Sequence, residues 1–287
     1  MSNIQDDFNW DIIDSSSFPE SRTRKAFSKV MRRAGRQRRT AAARWIAAAA
    51  VIMIPALSLY ISRIHIDKPA EIQQLTASAG NGQTDTIYLP DSTKVVLNSG
   101  SVLFYPSAFS DKERIVCLSG EALFDVRPDK ERPFFVTTSD MKVKVFGTMF
   151  DVQAYPDDNT VSTTLCRGSV GIIRNCAPGD ITMIRPGEEF KLQKDDGTFS
   201  IATVNQEDSY AWEHGGICIS AGSIHDLIRI LKRQFNVNVY LTSNRFDSEI
   251  ITAKFIHGES PEDIMKVVSS LLPGMRYSIT DSNIYIH

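Results

Sequence analysis

Apolar positions recur with three different spacings along the chain. Residues 45–62 read WIAAAAVIMIPALSLYIS, an apolar run with no charge. Eighteen residues of helix span roughly 27 Å, close to the hydrocarbon thickness of a bilayer. Trp45 and Tyr60 stand near its two ends, where amphipathic rings favour a membrane interface, and Pro55 is tolerated in such a helix. The alternative is a buried helix of a soluble core. A cleaved signal peptide fits less well, because 44 residues precede the run and no clear small-x-small site follows. The run therefore predicts a signal-anchor, with the chain crossing the membrane once.

From about Thr84 the spacing drops to two. Short β-branched and aromatic runs alternate with polar residues and are punctuated by glycine. Glycine followed by a short strand recurs at Gly100, Gly120, Gly147, Gly168 and Gly187, with spacings of 20, 27, 21 and 19 residues. Glycine supplies the positive φ that tight β connections need. A repeat near 20 residues predicts stacked hairpins, a β-roll or a solenoid-like sandwich. No long helical pattern interrupts residues 84–194, so this domain is expected to be nearly all β.

A third spacing begins near residue 211. Ile224, Leu227, Ile228, Leu231 and Phe235 fall on one helical face behind Ser223, with Asp226 placed for a capping box. A second helix opens at Ser260-Pro261-Glu262-Asp263 and carries Ile264, Val267, Val268 and Leu271. Strands are predicted at Gly216–Ser220, Val237–Leu241, Ile250–Ile256, Met275–Thr280 and Ile284–Ile286. The order βαββαββ describes a small α+β module, a size that commonly binds other proteins through an exposed strand edge. The predicted organisation is 1–44 cytoplasmic segment, 45–62 transmembrane helix, 63–83 tether, 84–195 β domain, 196–210 linker and 211–287 α+β domain.

Charge orients this arrangement. The net charge of −2 argues against a nucleic-acid binder driven by bulk electrostatics. Residues 1–44 hold ten Lys/Arg and five Asp/Glu, whereas residues 63–287 carry a net −7. Arg32, Arg33, Arg36, Arg38, Arg39 and Arg44 crowd the N-terminal side of the apolar run. The positive-inside rule then places residues 1–44 in the cytoplasm and residues 63–287 outside. In the first segment Trp10, Ile12 and Ile13 form an apolar-acidic patch. Ser17-Phe18-Pro19-Glu20 resembles a helix start, and Phe27, Val30 and Met31 follow at helical spacing. Such a stripe without a partner in the chain either lies on a membrane or folds onto another protein. The bland alternative is a solvated basic tail that fixes topology.

Catalytic chemistry is hard to find. The five histidines share no motif, and no GxSxG, HExxH, P-loop or dinucleotide fingerprint occurs. Asp157-Asp158 and Asp195-Asp196 sit where turns are expected and read as solvated turn residues. Glu121 and Asp125 share a strand face but lie roughly 13 Å apart along it, a poor carboxylate pair for glycoside hydrolysis. Cys117, Cys166, Cys176 and Cys218 allow three full disulfide pairings, with Cys166 and Cys176 bracketing a hairpin, or serve as four small apolar residues. No metal-ligand spacing is present and no cofactor is expected.

Several motifs carry a family resemblance. LPDSTKVVLNSGSVLFYPSAF (Leu89–Phe109), LSGEALFDV (Leu118–Val126), RPFFV (Arg132–Val136), VKVFGTMFDVQAYPDD (Val143–Asp158), LCRGSVGI (Leu165–Ile172) and IRPGEEFKL (Ile184–Leu192) occur in order. Together they resemble the FecR family of membrane-bound anti-sigma factors. The tail from Ala211 is similar to the small C-terminal domain that follows FecR domains in Bacteroidetes, itself similar to the short N-terminal modules of secretins and TonB-dependent receptors. The chain departs from the family at LPDST, where members usually read LPDGS, and at Val96, where tryptophan is common. The resemblance implies a non-enzymatic inner-membrane relay. The signalling domain of an outer-membrane TonB-dependent transporter contacts the periplasmic part. The cytoplasmic segment holds an extracytoplasmic-function (ECF) sigma factor that transcribes nutrient-uptake genes. A site-2-type protease takes part in members that use regulated proteolysis. On this view Trp10, Ile12, Ile13, Phe27, Val30 and Met31 are the sigma-binding anchors. The competing expectation is a membrane-tethered carbohydrate-binding or hydrolytic β protein, for which exposed aromatics lining a β cleft would speak.

Overall fold

A computed structural model describes residues 29, 45, 48–61 and 72–287. The chain divides into two compact units, Met1–Ala70 and Glu71–His287. In the first unit, residues 48–61 form helix α1, exposed along its whole length, with Trp45 78% and Tyr60 65% exposed. Among the described residues no helix is long and apolar enough to cross a membrane. The predicted span 45–62 is described only in part. The sigma-anchor residues and the six arginines lie outside the described residues.

The second unit begins with a two-layer β structure whose layers share one long strand, β5 (Arg114–Asp125). The first layer contains β1 (Gln74–Ser78), β4 (Val102–Pro106), β6 (Phe134–Thr137), β7 (Met141–Val145), β10 (Val170–Arg174) and β11 (Ile181–Ile184). Its order is β11-β10-β7-β6-β5-β4-β1. The second layer contains β2 (Asp85–Tyr88), β3 (Lys94–Leu97), β8 (Met149–Ala154), β9 (Thr160–Arg167), β12 (Glu188–Gln193) and β13 (Phe199–Thr203). Its order is β2-β3-β5-β8-β9-β12-β13. The sheet is antiparallel except between β5 and β6, so the architecture is a roll of stacked hairpins rather than a parallel solenoid. It also extends past both predicted boundaries: β1 lies in the stretch read as a tether and β13 in the stretch read as a linker. Both are edge strands with mostly exposed side chains, so they lack the apolar alternation that marks a half-buried strand.

The inward side chains of the two layers form one core, including Leu97, Leu103, Phe124, Phe134, Phe150 and Phe190. Phe124 and Phe150 stack at 5.3 Å between centroids. The shared strand changes layers at Gly120, whose φ is 117°. A Cβ there would stand 2.6 Å from the Ser101 backbone, so only glycine lets β5 pass.

The parallel β5–β6 step needs a crossover, and a buried ion pair fixes it. Arg114 is 1% exposed; its Nη1 donates to Asp91 Oδ2 at 2.7 Å. The same guanidinium donates to the carbonyls of Arg127 and Arg132, at each end of the crossover, and lies over the Phe134 ring. Every face of the charge is thereby satisfied; removing one partner of such a pair costs about 3–5 kcal/mol. Asp91 also accepts from the Thr93 backbone N–H and hydroxyl, which holds the LPDST turn.

The second part of the unit is the predicted βαββαββ module: β14 (Ile217–Ser223), α3 (Ile224–Phe235), β15 (Asn238–Leu241), β16 (Ile250–Phe255), α4 (Pro261–Leu271), β17 (Tyr277–Thr280) and β18 (Asn283–Ile286). Both helices open with capping boxes, Ser223 with Asp226 and Ser260 with Asp263. Strands β14 and β16 pair on one side; β15, β18 and β17 form a second small sheet. Leu227, Leu231, Ile264, Val268 and Ile286 lie in the shared core. A short helix α2 (Gln206–Ser209) and a 3-10 turn (Ala211–His214) join module to roll.

Ser92 occupies the position where the family usually has glycine, and its φ is 68°. A left-handed conformation costs an L-residue roughly 1–2 kcal/mol that glycine avoids. Ser92→Gly is therefore expected to raise stability by about 1 kcal/mol, read as a higher urea midpoint at unchanged m-value. An unchanged or lower midpoint would contradict the turn assignment.

Candidate functional site

Strand alternation in the second layer sends one set of side chains into the core and the other outward. Several outward positions are nevertheless buried: Val96, Leu123, Asp151, Ser162 and Thr164. The cover comes from the C-terminal part of the unit. Trp212, from the 3-10 turn, is 8% exposed and packs on Val96 and Leu123, flanked by Met149 and Tyr210. Trp212 is the one tryptophan after residue 62, and it plugs this junction rather than lining an open cleft.

Beside the plug, helix α3 reaches into the β8–β9 turn. Arg233 Nη2 donates to Asp157 Oδ1 at 2.5 Å and to Asp158 Oδ1 at 2.6 Å; its Nη1 donates to Asp158 Oδ2 at 3.1 Å. Arg229, one helical turn earlier, pairs with Asp158 at 2.9 Å. The Arg233 guanidinium carbon sits 3.6 Å from the centroid of the Tyr155 ring, a cation–π contact. Tyr155 in turn donates to the Ser99 carbonyl at 2.8 Å. The Arg233 backbone carbonyl accepts from Gly82 N–H at 2.7 Å, tying the same helix to the β1–β2 turn. Asp158 is 8% exposed. The expectation of two solvated turn acids is thus corrected for Asp158 alone: Asp157 is exposed, as expected of a turn acid, while Asp158 is buried, and both carboxylates accept from Arg233 where module meets roll. Low solvent access makes such bidentate pairs far stronger than surface ones.

A cavity of about 80 Å³ lies under this contact, lined in part by Asn98, Glu121, Tyr155, Trp212, Cys218 and Arg233. Ligand pockets usually measure roughly 300–1,000 Å³, so it holds no sugar ring. Its acid is Glu121, which accepts from Asn98 Nδ2 at 2.6 Å. Burial pushes the Glu121 carboxyl from 4.5 up to about 7, against the Asn98 hydrogen bond and the Arg233 charge. Asp151, on the same face of the adjacent strand β8 and opposite Leu123, is raised well above the carboxylate range, first by burial and then by Glu121. The indole of Trp212 favours its charged form but does not prevail. Asp125, the other half of the carboxylate pair considered above, is exposed and bound to Arg167 at 2.9 Å.

The four cysteines are free thiols. Burial, with Asp151 adding to it, pushes the Cys166 thiol up to about 12, and burial raises Cys218. Cys117 and Cys176 are exposed.

The chain matches the family model described as FecR protein over residues 76–171 and the model described as FecR, C-terminal over residues 218–286. It is similar to two crystal structures from Parabacteroides distasonis, each provisionally named an anti-sigma factor. One is 28% identical with a TM-score of 0.71, covering 75% of this chain and 99% of its own. The other is 29% identical with a TM-score of 0.70, covering 74% and 98%. No curated protein sequence matches.

The raised Glu121 carboxyl has a thermodynamic consequence. Between pH about 4.5 and 7 the folded chain keeps a proton that the unfolded chain releases. Stability from this group is complete below the unfolded value, falls as pH rises through that window, and is level above it. Asp151 acts in the same direction. Glu121→Gln keeps the shape without the titration, so its urea midpoint is expected to change less between pH 5 and 8 than that of the unsubstituted chain. Identical pH profiles would remove Glu121 from the buried junction. Two tandem domain matches that together span more than half of the sequence, on the fold just described, place the chain in the FecR family of anti-sigma factors.

Proposed function

We propose that the chain is a single-pass inner-membrane regulator. In this reading residues 63–287 lie in the periplasm and take a signal from the signalling domain of an outer-membrane TonB-dependent transporter. Residues 1–44 hold an ECF sigma factor in the cytoplasm, and the output is transcription of nutrient-uptake genes. The protein works by binding and release, not by catalysis. The observation that carries the reading is the placement of the two matched FecR domains after an uncharged 18-residue run preceded by a segment of net charge +5. That order gives a binding body, a membrane-length apolar run and a basic inner tail in a single chain.

The junction supports a relay. Trp212 and the Arg233–Asp157–Asp158 contact hold roll and module together, so a partner that grips either one acts on both. Signalling still requires that the partner bind two states of the regulator with different affinity, or that it expose a cleavage site. The burial of Trp212 removes one support of the carbohydrate-binding alternative.

Deleting residues 1–44 is expected to abolish inducer control of a defined gene set while leaving the remaining chain folded. Phe27→Ala with Met31→Ala is expected to weaken capture of the sigma factor by at least tenfold, the cost of losing two apolar anchors of roughly 1 kcal/mol or more each. Unchanged inducer response in the deletion, or normal capture by the double variant, would refute the assignment of this segment.

A further inference from the structure

The roll has two outer faces, and among the described residues only one is covered. The second layer carries Trp212 and helix α3. The first layer, from β11 across to β1, presents an uncovered face of unusual composition. Phe104 is 47% exposed, Ile115 40%, Ile181 51% and Met183 57%, with Phe146 at 44% just beyond the end of β7. The strand registers place these side chains in adjoining rows: Phe104 opposite Cys117, Ile115 opposite Phe135, and Ile181 and Met183 opposite Ile173 and Gly171. A Cβ on Gly171 would meet Ile181 Cγ2 at 3.0 Å and Met183 Sδ at 3.2 Å, so both side chains lean across the glycine and widen the apolar surface.

The outward charges of the first-layer strands have one sign. Lys142 and Lys144 point outward from β7, and with β5 taken over its first-layer part, Arg114 to Ser119, no outward strand position is Asp or Glu, although residues 63–287 carry a net −7. Acids stand at the strand ends: Asp140 and Asp180 in turns, Asp180 paired with Arg174 at 3.0 Å, and Glu113, exposed, two residues before Ile115. The Lys144 ammonium stands 5.8 Å from the Phe135 ring centroid and 5.5 Å from that of Phe146, its stem laid along the apolar surface. That is how lysine behaves at a lipid interface, with an apolar stem and a charged head turned toward the headgroups.

We infer that the outer face of the first layer docks on a membrane surface bearing anionic headgroups. Lysine in the middle of the patch distinguishes this occupant from a protein, because protein interface cores are depleted in lysine, whereas each lysine near an anionic bilayer contributes about fivefold to binding. Chain length supports the same occupant. Strand β1 begins at Gln74, twelve residues past Ser62, a distance of at most about 40 Å when fully extended. This part of the argument rests on the reading of Trp45–Ser62 as membrane-embedded: a tether that short keeps the roll at high effective concentration beside the bilayer, so a weak contact suffices. Docking would orient the roll so that the opposite side, with its C-terminal module, faces away from the membrane.

The test uses residues 72–287, which contain both hydrophobic cores; the two similar crystal structures consist almost entirely of the matched part, so this portion folds without the first quarter of the chain. Flotation with 5 mM vesicles of phosphatidylglycerol and phosphatidylcholine in equal parts is compared with phosphatidylcholine alone. Binding is expected only to the anionic vesicles and is expected to fall steeply at 0.5 M salt. Lys142→Gln with Lys144→Gln is expected to lower the partition constant about 25-fold, and Ile181→Ser with Met183→Ser to lower it on the same vesicles. Equal partition to both vesicle types, no partition to either, or an unaffected lysine variant would overturn the inference. So would concentration-dependent self-association that the same substitutions abolish, because the occupant would then be a second copy. None of these outcomes touches the sigma-binding assignment, which is tested on residues 1–44.

Discussion

One arginine holds the second unit together as a single body. Arg233 projects from the last turns of α3 into the β8–β9 turn, where two consecutive aspartates and a tyrosine ring receive it. Its backbone carbonyl binds the β1–β2 turn as well. Without this contact the module would be held by α2, the 3-10 turn, the Trp212 plug and the Arg229–Asp158 pair. The cost of leaving a buried charge unpaired works in favour of the closed arrangement, in which Asp158 is shared by Arg229 and Arg233, and Arg233 also binds Asp157.

The same logic operates inside the roll at Arg114. There a fully buried guanidinium joins the LPDST turn to both ends of the crossover between β5 and β6. The two arginines divide the labour. Arg114 fixes the topology of the roll, and Arg233 fixes the roll to its neighbour. Between them they decide which outer face is covered and which is left open, and the open face is the one whose strands carry outward lysines and no outward acids. Roll and module thereby present one continuous surface, while the opposite face of the roll is left open among the described residues.

Much of this was visible in the residue pattern. Period-two runs and recurring glycines marked the roll, and the caps at Ser223 and Ser260 marked both helices of the module within a residue or two. What local pattern could not show came from distant partners. Asp157 and Asp158 read correctly as a turn, yet their arginines lie some 75 residues away. Glu121 was placed on the right strand face, but its burial is imposed by a module that folds over it later in the chain. Strands β1 and β13 escaped notice because an edge strand exposed on both faces has no apolar alternation to read. Ser92 carried a signal of a different kind: a missing turn glycine, which the positive φ at that position explains.

The central claim is that the ionic contact between Arg233 and Asp158 couples roll and module. A double-mutant cycle on residues 72–287, with Arg233→Gln, Asp158→Asn and the two combined, tests it through urea unfolding. A coupling of about 1–3 kcal/mol between the two positions is predicted. Effects that simply add, to within about 0.5 kcal/mol, would show that the two side chains do not act together and that the module is held by other means.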